Sequence, residues 1–121
     1  MYVWDVRSQK ARASFFDEGC INGSAIAVSP DGRLLACGSE TGIVNQYYTK
    51  DIISGVVRPS KVFSQLVTRI SSLQFNQTSE ALVFSSDLVQ GAVRIVSIGV
   101  FILCYGCIAI IFKLHLRIVL A

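Results

Sequence analysis

The sequence predicts an all-β chain, a partial β-propeller of about two and a half blades followed by an apolar tail. Three observations predict it. One strand–turn–strand–turn–strand pattern occurs twice, at a spacing of about 47 residues. A Trp-Asp pair stands ahead of the first copy, and beyond Val93 the sequence becomes almost continuously apolar.

The opening Val3-Trp4-Asp5-Val6 reads as the third strand of one blade, with Ala13-Ser14-Phe15-Phe16 as its outer fourth strand. The first full copy begins at Ser24 and runs to Val28, where Ser29-Pro30-Asp31-Gly32 makes a tight turn. Pro30 presets φ for the first turn position, and Gly32 can take a positive φ. Leu34 to Gly38 follows as a strand apolar enough to be covered on both faces. The turn Ser39-Glu40-Thr41-Gly42 then leads to a third strand, Ile43 to Tyr48. In the second copy, Ser71 to Phe75, Asn76-Gln77-Thr78-Ser79, Ala81 to Ser85 and Gly91 to Val96 repeat this order. Val28 aligns with Phe75, Leu35 with Leu82, and Trp4 with Tyr47 and then Val96. A large side chain at the Trp4 position packs against the neighbouring blade. The looser stretches from Gln9 to Gly19 and Lys50 to Lys61 carry the outer strands, with Val62 to Leu66 as the second candidate. The spacing is close to the 40–45 residues of a WD40 blade, and Trp-Asp is that repeat's signature. Its usual glycine-histidine dipeptide is missing, so the polar network tying the strands of a blade together is expected to be incomplete. An ordinary antiparallel β domain with similarly spaced hairpins is the plainer alternative.

Val3-Trp4-Asp5-Val6, Phe16-Asp17-Glu18-Gly19, Leu35-Ala36-Cys37-Gly38-Ser39, Gly42-Ile43-Val44-Asn45, Ile70 to Asn76 and Ala92-Val93-Arg94 also carry a resemblance. Together they resemble the C-terminal blades of the U3 small nucleolar RNA-associated protein 18 family, WD40 components of the nucleolar small-subunit processome. The resemblance covers roughly Tyr2 to Ser97, and its most distinctive piece is Asp17-Glu18-Gly19, where many blades have glycine-histidine. It implies a nuclear, nucleolar scaffold acting in pre-rRNA processing and 18S rRNA maturation. Partners would be protein subunits of the U3 ribonucleoprotein, with RNA contact indirect. No functional residue carries over from the family, and beyond Ser97 the chain departs from its pattern. The division expected is 1–97 for the blades and 98–121 for the tail.

Charge agrees with indirect RNA contact. Met1 to Arg94 holds nine basic and eight acidic residues, and Lys113 and Arg117 supply the rest of the net +3. Nucleic-acid binding through bulk charge needs a clustered basic face. Residues 95–112 have no charge and would span about 27 Å as a helix, enough for a bilayer core. Three readings stay open for the tail: a membrane helix, a buried strand pair, or non-native sequence from a frameshift or retained intron. The opening residues show no signal peptide, so reduced thiols are expected.

No catalytic, cofactor-binding or metal-binding residue is assigned, and no cofactor is expected. Cys104 and Cys107 have the spacing of a metal or redox pair, but a structural zinc site takes four ligands and Cys20 and Cys37 lie far off in sequence. His115, the single histidine, sits between two leucines of the tail. No serine stands in a nucleophile elbow and no glycine loop could cradle phosphate. Asp5, Asp17, Glu18, Asp31, Glu40, Asp51, Glu80 and Asp87 read as solvated turn residues. The chain is therefore expected not to be an enzyme. Two further functions remain: a membrane-anchored protein with a small β domain, and a WD40 adaptor in an unrelated complex. Unclosed end blades should expose apolar surface, with Val3, Trp4 and Phe75 as candidates, and the chain alone should tend to associate.

Overall fold

The computed structural model describes residues 1–55 and 57–98. Among the described residues, nine strands form three antiparallel sheets. The first contains β1 (Tyr2–Asp5) and β2 (Lys10–Ser14); the second contains β3 (Gly23–Val28), β4 (Leu34–Ser39), β5 (Val44–Tyr48) and β6 (Lys61–Phe63). The third contains β7 (Ser72–Phe75), β8 (Ala81–Ser85) and β9 (Val93–Ser97). Each sheet runs in sequence order, as successive propeller blades do, and the two predicted three-strand units fall at 24–48 and 70–96.

The turn chemistry places these strands. Gly32 adopts φ 73° and donates its N–H to the Ser29 carbonyl at 2.9 Å. The Ser29 hydroxyl accepts from Leu34 N–H at 3.0 Å and donates to Asp31. In the second copy Asn76 does the same work with its own oxygen, accepting from the N–H groups of Glu80 at 2.8 Å and Ala81 at 3.0 Å. Different residues thus close equivalent turns by satisfying the same backbone donors.

Strand alternation sorts the side chains into two interfaces. Leu35, Cys37 and Tyr47 point from the second sheet toward the first, where they meet Phe15, Val3 and Ala13. Leu34, Ala36 and Val44 point the other way and pack with Leu73, Phe75, Leu82, Phe84 and Val96 of the third sheet. Ile70 packs so closely on β4 that a Cβ at Gly38 would lie 2.8 Å from its methyl group. β4 and β8 are buried along their whole lengths. Trp4, Tyr47 and Val96 share a register, each on the face toward the preceding blade. Tyr47 and Val96 are buried there, while Trp4, with no sheet on that side among the described residues, is 62% exposed.

Four features differ from the sequence reading. Phe75, expected to be stranded, is buried, because the full second sheet stands against it. The outer strand of the first sheet is Lys10–Ser14 instead of Ala13 to Phe16. The turn through Gln9, at φ 54° with its N–H donating to the Asp5 carbonyl at 2.8 Å, brings Lys10 directly beside Asp5. The second outer strand stops at Phe63, and Leu66 turns inward to the core. Between β5 and β6 lies a helix, α1 (Thr49–Ser54), closed by Gly55 at φ 88° and anchored by Ile52.

The uncharged run opens as blade, since Ile95, Val96 and Ser97 belong to β9, in keeping with the expected third strand through Val96. The remainder of that run, Cys104, Cys107 and His115 lie outside the described residues. Among the described residues, no helix is long and apolar enough to cross a membrane.

Candidate protein-docking surface

Three features of the assembled blades bear on function: a polar latch, an apolar cleft and a continuous row of loops. The latch corrects one expectation. Asp17, expected to be a solvated turn residue, is half-buried and bonds two side chains of one strand, β5, in the next blade. Its carboxylate accepts from Asn45 Nδ2 at 2.7 Å and from the Tyr47 hydroxyl. Asn45 Nδ2 also reaches the Glu18 carbonyl at 2.8 Å, and Glu18 N–H donates to the Tyr47 oxygen at 3.3 Å. The alternation of β5 puts Asn45 and Tyr47 on one face, and the Phe15 ring packs edge-on against Tyr47 with centroids 5.3 Å apart. Burial, then the Asp17 bond, push the Tyr47 phenol well above its ordinary value. The sequence signal was the acidic turn standing in the glycine-histidine place, and the fold supplies its partners.

Glu18, Asp31, Glu40, Glu80 and Asp87 are exposed in turns or loops, whereas Asp5 ends β1 and Asp51 lies in α1, both half-buried. Asp31 accepts from Ser29, from Arg33 N–H and from Arg33 Nε at 2.7 Å, and these bonds, Ser29 first, hold its pKa at about 2. Asp87 pairs with Arg69 at 2.8 Å. Cys37 is buried, which pushes its thiol up to about 12, and burial followed by the Asp17 charge raises Cys20. Both thiols are therefore protonated at neutral pH and poor nucleophiles. Among the described residues, no three His, Cys, Asp or Glu side chains gather to hold a metal.

The cleft has a volume of about 330 Å³ and lies between the first sheet and the second. Tyr2, Val3, Ile26, Val28, Leu35 and Ile52 line it, and its wall is almost wholly hydrocarbon. A site for a small substrate needs a few convergent polar groups to orient the ligand, and this cleft offers nearly none. Its shape follows from the sheets around it: β3 faces a sheet of two strands, so Ile26 and Val28 have nothing opposite them.

In antiparallel sheets that run in sequence order, alternate connections emerge at the same end. Segments 15–22, 40–43, 64–71 and 86–92 thus share one end of the blades. Bonds knit them together. Glu40 N–H donates to the Asn22 carbonyl at 3.0 Å, and Ile70 N–H to the Ser39 carbonyl at 3.1 Å. Thr68 Oγ1 bonds Ser86 Oγ at 2.8 Å. Gly42, at φ 87°, lets segment 64–71 come so near that any Cβ there would overlap the Leu66 carbonyl. The loops form a continuous ridge, the kind of surface on which a rigid β scaffold presents binding groups.

The architecture, with the Trp-Asp pair that opens it, defines a class, the WD40 propellers, of which these sheets are a part. The C-terminal WD40 domain of Sif2 has the same fold, with a TM-score of 0.58 at 24% identity over 79% of this chain and 27% of that one. Within the class, the chain groups with the U3 small nucleolar RNA-associated protein 18 homologues. It is 42% identical over 97 residues to those of Mus musculus and Homo sapiens. The match takes in 79% of this chain and spans 18% of the mouse protein and 17% of the human one. No family model matches the chain.

Proposed function

We propose that the chain is a WD40 scaffold element of the nucleolar small-subunit processome, acting in pre-rRNA processing and 18S rRNA maturation by binding proteins. The observation that carries this reading is the 42% identity, over 97 residues, to proteins named for association with U3 small nucleolar RNA. A binding role without catalysis is supported by protonated thiols, an unpolarised cleft and carboxylates committed to turns and the latch. On this reading residues 1–97 are the binding blades and 98–121 a separate apolar tail, the protein resides in the nucleolus, and RNA is reached through protein subunits.

The test is to express the tagged chain in cells and assay its immunoprecipitate for U3 RNA before and after ultraviolet cross-linking. U3 RNA should be recovered, while the chain itself acquires no cross-linked RNA. Absence of U3 RNA would sink the processome reading, and strong cross-linking of the chain would sink the indirect one.

A further inference from the structure

We infer that the ridge of loops 15–22, 40–43, 64–71 and 86–92 docks a basic, apolar protein segment, one with leucine- or phenylalanine-sized side chains flanked by Lys or Arg. This deepens the protein-binding role proposed above and rests on it.

Two independent properties of the ridge point to that chemistry. The first is what projects from it: Phe16 is 97% exposed, Val67 87%, Ile21 80%, Leu88 64% and Val89 49%. Scattered exposed apolar residues are ordinary, but a run of them on bonded neighbouring loops marks a contact surface. At the opposite end, the turns at 29–33 and 76–80 carry only polar, proline and glycine residues that bond one another. Val6 and Ile53 are exposed there, but on separate connections, beside Arg7 and near Lys50.

The second property is charge. The ridge holds four carboxylates, Asp17, Glu18, Glu40 and Asp87, against two cations: Arg69, already paired with Asp87, and the Met1 ammonium, which donates to the Phe15 carbonyl at 2.7 Å. An acidic surface repels a phosphate backbone and attracts a basic chain. The apolar projections add the contact area that charge alone does not provide. The bonds between loops keep the ridge in one shape, so little ordering accompanies binding.

The experiment uses the full chain and three labelled probes: a short peptide of Leu and Lys, the same peptide with Glu for Lys, and a uridine oligonucleotide. Fluorescence anisotropy should show binding of the Leu/Lys peptide alone, weakening as salt rises. The double variant Val67→Ser/Leu88→Ser should weaken it about tenfold or more, and Glu18→Lys by a comparable factor. Ile53→Ser, at the other end, should leave it within about twofold. All four side chains are exposed, and circular dichroism of each variant confirms that the sheets persist. Binding of the Glu peptide or the oligonucleotide as tight as that of the Leu/Lys peptide, or indifference to the ridge variants, overturns the inference. Loss of the wild-type chain's U3 recovery bears on the processome reading alone, since peptide binding is read without it.

Discussion

Val28 and Phe75 hold the same register in the first strands of successive sheets, yet Val28 is 57% exposed and Phe75 4%. Neither chemistry nor strand position separates them. Phe75 faces a four-stranded sheet and joins the core with Leu82 and Phe84, while Val28 faces a two-stranded one and lines an open cleft. Burial in this architecture is conferred by the adjacent sheet, so one sequence position can be core in one blade and surface in the next.

The largest expected effect breaks or upholds that contrast. Phe75→Ala should cost about 3–5 kcal/mol, as truncation of a buried aromatic does. Val28→Ala should stay near the ±0.5 kcal/mol typical of surface changes. Midpoints of urea unfolding compare them, and equal losses would mean Val28 is covered in solution. Next is the latch between the first two sheets. Asp17→Ala removes the acceptor of the Tyr47 hydroxyl and one of the two acceptors of the Asn45 amide, an expected cost of about 1–3 kcal/mol. No comparable latch depends on Thr68, whose replacement by Val should cost less in the same assay.

The pH dependence sharpens the same interface. Tyr47 and Cys37 both have raised values, so they hold protons that the unfolded chain gives up. Their contribution is complete below the ordinary thiol and phenol values and is lost as pH rises through the folded ones. Thermal stability should therefore fall on the alkaline side, beginning near pH 9, the ordinary thiol value. Ultraviolet titration should show a late-ionising phenol that Tyr47→Phe removes. The smallest effect belongs to the surface pair. Arg69→Ala should change stability by less than about 1 kcal/mol, since Arg69 and Asp87 are 43% and 52% exposed.

Strand positions in 24–48 and 70–96 were legible because turn residues bracket them and their apolar runs suit two-sided burial. The shared register of Trp4, Tyr47 and Val96 was legible from spacing alone. What escaped depends on contacts distant in sequence. Asp17 finds its partners 28 and 30 residues away, a pairing created only when β5 meets the preceding loop. Phe75 looked like an end face because the sequence does not say on which side a neighbour stands. α1 is six residues long, and Ile52 and Ile53 are β-branched residues that favour strands in isolation. Gly55, the residue that stops it, would serve equally well in a loop.

Complete enclosure of β4 also has a kinetic meaning. It is bonded to β3 on one side and β5 on the other, and every residue from Leu34 to Ser39 is buried. Its amide protons bond alternately to β3 and to β5, so exchange of all of them requires both neighbouring strands to separate, which makes exchange along the whole strand a report on opening of the blade. β2, mostly exposed and paired with β1 alone, can shed its amide protons by local fraying. Timed exchange along the chain would therefore rank the strands by how much of the molecule must come apart to free them.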